Sequence, residues 1–342
     1  MNIFNGFTKG INLGGWLTQN TLTSEHLNTF IQESDIAYIK RLNVDHIRVP
    51  MDYSIIENEK GEEIKEGYSY IDNCIIWCKK YNLNMILDLH KAPGYIFDDF
   101  ENCNDFFTNK NIQDRFTNLW IKLAKRYGKY HDMLAFELLN EVVDCAYKDV
   151  WNDIVERTIK AIREYAPTSW ILVGGTRFNS IVSIKELRKP YDNKIVFNFH
   201  CYEPLIFTHQ GAYWINGMPR DFRITYPKTL KEYDDLSHQH LPIQNRGVLD
   251  GKGEIMCSKN FFLDFFKEAI EVSRKYDVPL YCGEYGVIDL ADPEGTLNWY
   301  KDIHSAFETY NIGRAMWSYK KMDFGLIDDH YSSIREELID NL

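Results

Sequence analysis

The sequence lacks the features that direct a chain to a membrane or to a nucleic acid. Its 342 residues contain no apolar run of the ~18 residues that a membrane-spanning helix needs. It also has no block of basic residues, and its net charge of −11 disfavours binding to polyanions. We therefore expect neither a membrane nor a nucleic acid as a partner. The first residues lack the apolar core of a signal peptide, so we expect a cytoplasmic protein or one released by a non-classical route.

Cysteine and histidine do not occur with metal-site spacing. The seven cysteines are an odd number, and Cys74 and Cys78 lie one helical turn apart without a second such pair. Buried free thiols in a reducing compartment are the simpler interpretation. His209, His238 and His240 do not have the helical spacing of metal ligands. The sequence therefore predicts no metal and no cofactor.

The chain does contain a regular alternation of apolar strands and amphipathic helices. Eight apolar segments are typical of buried parallel strands. They are Thr8–Leu13, Val44–Val49, Asn84–Leu89, Leu134–Leu139, Trp170–Gly174, Ile195–Phe199, Pro279–Cys282 and Gly313–Trp317. Apolar residues at helical spacing predict helices over Tyr70–Tyr81, Ile112–Tyr127 and Phe262–Tyr276.

This alternation predicts the α/β class and, within it, a (β/α)8 TIM barrel. We expect residues 1–342 to form a single catalytic domain that acts as a monomer. A doubly wound open sheet is the structural alternative. It is disfavoured because the segment from Gly10 to Gly15 lacks the Gly-x-Gly-x-x-Gly spacing of a dinucleotide-binding turn.

One interval interrupts the alternation. Residues 201–258 separate the sixth strand from the sixth helix, and a connection of that length in a compact domain is usually functional. We predict an inserted subdomain over 201–258 that covers one side of the site. Its aromatic residues suit a substrate-facing wall, although a small satellite core is an equal alternative. These residues are Phe207, Tyr213, Trp214, Phe222 and Tyr226, of which Trp214 is our candidate for substrate contact.

Polar, titratable or aromatic residues follow six of the eight predicted strands. In a TIM barrel the C-terminal ends of all strands face the same mouth, so these residues are expected to converge. They are Arg48, Asp88, His90, Asn140, Glu141, His200, Tyr202, Glu284 and Trp317. Taken singly, each also has an ordinary structural interpretation, such as an ion pair, a helix cap or a core histidine. Together they indicate one active site.

Two glutamates among these residues point to glycoside hydrolysis. One carboxylic acid protonates the leaving oxygen while the other carboxylate attacks the anomeric carbon, and retaining enzymes separate the two groups by about 5–5.5 Å. Glu141 is the candidate acid and Glu284 the candidate nucleophile. Arg48 and Tyr202 are placed to keep Glu284 ionised.

Two further residues suit contact with the sugar at this site. Asn140 is placed to hydrogen-bond the sugar 2-OH, and Trp317 offers an apolar platform for the sugar face.

The strand exits resemble those of the family 5 glycoside hydrolases, retaining (β/α)8 enzymes, and in particular the clostridial endoglucanase C subgroup. The matching segments are Gly10-Ile-Asn-Leu-Gly-Gly-Trp16, His46-Ile-Arg48-Val-Pro, Leu87-Asp-Leu-His90, Asn140-Glu141, His200-Cys-Tyr202, Gly283-Glu284-Tyr-Gly and Trp317. Subgroup segments are Cys78-Lys-Lys-Tyr-Asn-Leu, Ala92-Pro-Gly-Tyr, Leu123-Ala-Lys-Arg-Tyr and Tyr319-Lys-Lys-Met-Asp-Phe. The resemblance implies Glu141 as acid/base, Glu284 as nucleophile, and a supporting set that includes His90 and His200. Lys91 departs from the subgroup, which has a histidine there, and this bears on the neighbouring sugar subsite.

We therefore expect a retaining endo-β-1,4-glucanase that hydrolyses cellulose-like or mixed-linkage β-glucan by double displacement. A β-mannanase or glucomannanase is the nearest alternative, since few side chains read the stereochemistry at C2. An exo-acting β-glucosidase-like enzyme on short oligosaccharides is another. From a different class, a carbohydrate-binding barrel is disfavoured because both glutamates are present.

Overall fold

All eight predicted strands are present in the computed structural model, and they form one closed parallel barrel. The structure describes residues 3–243, 246, 249, 253–340 and 342. The strands pair in sequence order, and β8 pairs with β1 to close the barrel. Their bounds are β1 Lys9–Asn12, β2 His46–Asp52, β3 Asn84–Lys91, β4 Leu134–Glu137, β5 Ile171–Gly174, β6 Ile195–His200, β7 Leu280–Tyr285 and β8 Gly313–Met316.

Helices surround the barrel and cover its outer face. Their bounds are α1 Ser24–Thr29, α2 Glu33–Arg41, α3 Lys65–Tyr81, α4 Lys110–Tyr127, α5 Lys148–Arg163, α6 Thr176–Asn179, α7 Leu205–Thr208, α8 Leu230–His240, α9 Lys259–Tyr276, α10 Pro293–Tyr310 and α11 Arg335–Asp340. The three predicted helices lie within α3, α4 and α9. Local signals set the helix starts: Asn109 caps α4, and Asp292 caps α10 with Pro293 in its first turn. No helix among the described residues is both long and apolar enough to cross a membrane.

The alternation is incomplete between β5 and β6. Only the four-residue α6 and a 3-10 helix over Ile181–Glu186 connect these strands, where a full α-helix is expected of the fold. Within α6, Arg177 and Phe178 have positive φ angles of 56° and 57°, which a regular helix does not contain. This connection therefore departs from the regular alternation of strand and α-helix.

The segment 201–258 contains α7 and α8 but no strand among its described residues, and residues 244–245, 247–248 and 250–252 lie outside the description. Its aromatic residues divide between the two predicted roles. Tyr213 and Trp214 are exposed and line the cavity described below. Phe207 and Tyr226 are buried in the hydrophobic core, so their prediction as a substrate-facing wall is wrong. Phe222 is partly buried against the same core and does not line the cavity either.

The cysteines are all free thiols. Five of them are buried, as small apolar residues are, and Cys103 and Cys145 are partly exposed. Burial raises the pKa of the Cys103 thiol, which keeps it protonated at neutral pH. None of the seven takes part in the site at the barrel mouth.

Candidate active site

The C-terminal ends of the strands open into a cavity of about 1140 Å³. Eight of the ten predicted site residues line it: His90, Lys91, Glu141, His200, Tyr202, Trp214, Glu284 and Trp317. The other two, Arg48 and Asn140, are fully buried and do not line it, although Arg48 contacts Glu284 directly. The barrel thus brings together side chains that are far apart in the sequence.

The two glutamates reach the cavity from different backbone settings. Glu284 lies within β7, whereas Glu141 lies in the loop that follows β4. Glu141 has a φ of +39°, a left-handed conformation that is uncommon for a residue with a side chain and that clusters at functional sites. One carboxylate oxygen of Glu141 and one of Glu284 lie within 4.8 Å of each other. That separation matches retaining glycosidases and is too short for the inverting class, which needs roughly 6.5–9.5 Å.

Glu284 has a donor on each of its two oxygens. Arg48 donates from Nη1 to Oε1 at 2.7 Å, and the Tyr202 hydroxyl donates to Oε2 at 3.0 Å. Burial raises the pKa of Glu284, and the positive charge of Arg48 opposes that rise. Burial and the adjacent Glu284 charge raise the pKa of Tyr202 well above its ordinary value, so its hydroxyl stays a donor.

Glu141 has no such cationic partner in the part of the chain that the structure describes. Its Oε1 lies 2.8 Å from Nδ1 of His200, and the same nitrogen lies 3.7 Å from Oε2 of Glu284. Burial lowers the pKa of His200 well below its ordinary value, with Arg48 contributing, so the imidazole is neutral. Burial and the negative charge of Glu284 raise the pKa of Glu141 well above its ordinary value. The pair therefore favours a proton on Glu141 and a charge on Glu284.

Three buried polar atoms near the glutamates have no hydrogen-bond partner among the described residues. They are Nε2 of His90, Nε2 of His200 and Nδ2 of Asn140. His90 is oriented by Asp88, whose Oδ2 lies 2.7 Å from Nδ1, and its ring stacks on Trp317 with centroids 6.0 Å apart. Burial lowers the pKa of His90 to about 4. A buried polar atom without a partner is costly, and a sugar hydroxyl is a suitable partner for each of the three.

Lys91 and Trp214 line the cavity from two different parts of the chain, the end of β3 and the segment 201–258. Lys91 ends β3 and donates to Asp98 Oδ2 at 3.2 Å. Trp214 is 45% exposed, and its ring lies 6.0 Å from that of His209, which in turn contacts Tyr202. Both side chains are available to contact a ligand in the cavity.

Of the residues that hold Arg48, only Asp88 is among the predicted strand-exit residues; Glu137 and Asn12 are not. Glu137 pairs with Arg48 through both carboxylate oxygens, and Asp88 Oδ2 lies 3.0 Å from Nη2. Asn12 accepts from Nη1 at 3.0 Å. A usable signal existed for Glu137, because a glutamate inside the apolar run Leu134-Ala-Phe-Glu requires a buried cation nearby.

The same cavity contains the single group with metal-ligand spacing among the described residues. Glu141, His200 and Glu284 each offer one ligand atom, and these atoms lie within 4.8 Å of one another. However, the guanidinium of Arg48 lies 2.7 Å from Glu284 and repels a cation at this point. The arrangement suits proton transfer and nucleophilic attack better than metal binding.

Comparison with known proteins agrees with this geometry. Endoglucanase C of Acetivibrio thermocellus is 41% identical over 340 residues, which cover 98% of this chain and 98% of that protein. Cellodextrinase A of Ruminococcus flavefaciens is 40% identical over 309 residues, 90% of this chain and 84% of that protein. The crystal structure of clostridial cellulose synthase subunit Z from Clostridioides difficile superposes with a TM-score of 0.77 at 24% identity, covering 98% of this chain and 99% of that chain.

A second solved structure, Thermotoga maritima Cel5A in complex with cellobiose, has a TM-score of 0.75 at 22% identity over 98% of this chain and 97% of that chain. These two likenesses show the shared fold. The family model for cellulase (glycosyl hydrolase family 5) matches residues 6–323. With a closed eight-stranded barrel, a glutamate pair at its mouth and a match over nearly all of its length, this chain belongs to glycosyl hydrolase family 5.

Proposed function

We propose that this glycoside hydrolase is a retaining endo-β-1,4-glucanase that cleaves cellulose-like or mixed-linkage β-glucan by double displacement. The observation that supports this best is the glutamate pair: two carboxylate oxygens within 4.8 Å in one cavity, with unlike surroundings. Arg48 and Tyr202 donate to Glu284, while Glu141 faces a neutral imidazole. Two carboxyl groups in such unlike environments can act as acid and nucleophile at the same pH.

In the first step, an ionised Glu284 oxygen attacks C1 of the sugar as the bond from C1 to the glycosidic oxygen breaks. Glu141 gives its proton to that oxygen, and the aglycone leaves as an alcohol. The neutral His200 at 2.8 Å leaves the proton on Glu141 until this moment. Asn140, whose Nδ2 has no partner within the described chain, donates to the 2-OH as charge develops at C1.

In the second step, Glu141 acts as a base. It removes a proton from water, the water oxygen bonds to C1, and the bond between C1 and Glu284 breaks. Glu284 returns to its ionised form beside Arg48, and Glu141 is again protonated. Two inversions at C1 give net retention of the β configuration.

We further propose that the whole chain is one catalytic domain that acts as a monomer, without a cofactor or metal. The segment 201–258 is its inserted subdomain and supplies one wall of the cleft through Tyr213 and Trp214. Lys91 and Trp317 contribute to the sugar subsites next to the cleaved bond. Endoglucanase C, which matches along 98% of the chain, is named for internal cleavage of glucan.

A second candidate is an enzyme that acts on short cellodextrins from a chain end. It is favoured by the name of the 40% identical Ruminococcus protein, Cellodextrinase A. The cavity is lined on several sides, by residues after β3, β5, β6 and β8, which would suit a ligand of few sugar units. The two candidates use the same chemistry and differ in whether a long glucan chain can extend through both ends of the cleft.

A product profile separates these candidates. The enzyme is incubated with carboxymethylcellulose, lichenan, glucomannan and cello-oligosaccharides, and early products are followed by size and by the anomeric proton signals. We expect a rapid fall in polymer length and β-anomers as first products. Release of short products without a fall in polymer length would select the exo candidate, and preference for glucomannan would indicate a mannanase. Initial α-anomers would contradict the retaining mechanism.

A further inference from the structure

Beneath the catalytic pair, the barrel interior holds polar side chains that the proposed steps do not use. They contact Arg48 or, in the case of Asn198, its partner Glu137, and they come from four strands: Asn12, Asp88, Glu137 and Asn198. All are fully buried. A buried carboxylate costs several kcal/mol unless it is paired, so two of them under one guanidinium need an explanation beyond packing.

The contacts of Arg48 divide between two edges of its guanidinium. Nε and Nη2 donate to the two oxygens of Glu137 at 2.7 and 2.8 Å, which is a bidentate pair. Nη1, on the other side of the group, donates to Glu284 at 2.7 Å. Because the guanidinium is planar and rigid, fixing one edge also fixes the donor that faces Glu284.

Glu137 is itself held from a further strand. Asn198 on β6 donates to its Oε1 at 2.7 Å. Gly283, the residue before Glu284, makes room for this contact, because a Cβ there would lie 2.7 Å from Asn198 Oδ1. Burial raises the pKa of Glu137 to about 7 and Arg48 opposes the rise. Each hydrogen-bond partner of its oxygens among the described residues is a donor, which favours the ionised form.

We propose that Glu137 is a positioning residue, which orients Arg48 so that Nη1 meets Glu284 and keeps the nucleophile aimed at the anomeric carbon. Glu137 lies below the cavity lining and touches no reacting atom. The inference rests on the proposed role of Glu284 as nucleophile. A substitution of Glu137 should therefore lower the rate at which Glu284 attacks C1. If Glu137 served folding alone, that rate would be unchanged.

The test measures attack by Glu284 directly, with 2-deoxy-2-fluoro-β-cellobiosyl fluoride as the probe. A Glu284 oxygen bonds to C1, the C1–F bond breaks and fluoride leaves, while the 2-fluorine slows release of the sugar. Mass spectrometry gives the fraction of protein labelled, and loss of activity gives the first-order rate of labelling. For E137Q we expect full labelling at a rate about 10- to 100-fold lower, as for a catalytic group displaced by about 1 Å.

Two variants calibrate this result. E137D keeps the carboxylate on a shorter side chain and should recover part of the rate. E57Q is the matched control, since Glu57 is also buried and holds Arg115 at 2.6 Å and Lys122 at 2.9 Å, away from the cavity. It should lose stability and keep the wild-type labelling rate.

A double mutant tests whether Glu137 acts through Arg48. In an R48K background the bidentate pair is already absent, so E137Q should cost at least fivefold less than in the wild type. Equal costs in both backgrounds, or an unchanged labelling rate in E137Q, would overturn the inference. Should E137Q not fold, an unchanged rate in E137D overturns it equally. Wild-type protein that is not labelled on Glu284 would overturn the proposed function, and this inference with it.

Discussion

The two sides of the cleft hold their glutamates in opposite ways. On the β7 side, Glu284 lies in regular strand and receives donors from Arg48 and Tyr202. On the β4 side, Glu141 lies in a loop with a left-handed backbone, and among the described residues its side chain has only His200 at hydrogen-bond distance. The difference shows how one site assigns two roles to one residue type: cationic and hydroxyl donors keep one carboxyl ionised, and burial keeps the other protonated.

The largest expected effect is the loss of Glu284. E284A should lower kcat by roughly 10⁴- to 10⁶-fold, as removal of a nucleophile does in other covalent enzymes. Azide fills the space of the lost carboxylate, attacks C1 once and should restore turnover with a glycosyl azide of inverted configuration. Turnover is measured on an aryl cellobioside and the product by NMR. A β-configured azide, or no rescue, would contradict the role of the β7 side.

Loss of the acid on the β4 side should be smaller and should depend on the leaving group. E141Q keeps the size of the side chain but cannot donate the proton, so kcat/KM should fall about 10²- to 10⁴-fold on unactivated cello-oligosaccharides. Attack on aryl cellobiosides with acidic phenols should be affected much less. In the wild type, kcat/KM should fall as pH rises through the raised pKa of Glu141, and this basic limb should be absent in E141Q. Equal losses of kcat/KM on both kinds of substrate would contradict the role of Glu141 as the acid.

Removal of the Tyr202 hydroxyl should shift the acid limb of the pH profile of kcat/KM. Tyr202 donates to Glu284 and so favours its ionised form; Y202F removes that donor and raises the pKa of Glu284. Because attack needs ionised Glu284, the acid limb of kcat/KM should move to higher pH, and the plateau should fall by about 10-fold, the cost of one hydrogen bond to a charged group. Y226F is the matched control, because the buried Tyr226 donates to Asp302 at 2.8 Å outside the cavity. An unchanged acid limb in Y202F would show that Arg48 alone keeps Glu284 ionised.

Much of this site could be predicted from the sequence, because the barrel topology determines which parts of the chain lie next to each other. Apolar runs identify the strands, and parallel strands place their C-terminal residues at one mouth, which is why Arg48, Glu141 and Glu284 were found together. The pairing of Glu137 was not predicted, since a glutamate within an apolar run reveals its partner only when the strands are in register. The left-handed φ of Glu141 has no sequence signal comparable to glycine.

The side-chain positions in the segment 201–258 could not be predicted from the sequence either. Composition identified its aromatic residues, but Phe207 and Trp214 differ only in where the chain turns them, one into the core and one into the cleft. The regular alternation predicts a helix between β5 and β6, and the structure contains the short α6 and a 3-10 helix there instead.

The outer parts of the two walls should differ in what they recognise. In the segment after β6, Trp214 presents a half-exposed aromatic ring, and covering it with a sugar face contributes about 1 kcal/mol. W214A should therefore raise KM on long glucan chains roughly fivefold. We expect the shorter aryl cellobioside not to extend to Trp214 and to be cleaved at the wild-type rate. Y165A serves as the control, since Tyr165 is similarly exposed outside the cavity; equal effects of both variants would exclude a specific contact at Trp214.

At the end of β3 the corresponding side chain, Lys91, is polar, and its loss should have the smallest effect. The Lys91 side chain is 18% exposed and pairs with Asp98, itself 48% exposed, so water competes for both charges. K91M keeps the aliphatic length of the side chain and removes the ammonium group, and half-exposed ion pairs contribute only about 0.2–1 kcal/mol. We expect kcat/KM on cellotetraose to change by roughly two- to threefold, with added salt reducing the difference because it screens the charge. K110M breaks the exposed pair of Lys110 with Asp114 and should change neither kcat/KM on cellotetraose nor its dependence on salt. A loss in K91M larger than that in W214A would reverse the comparison and make the polar wall the main recognition surface.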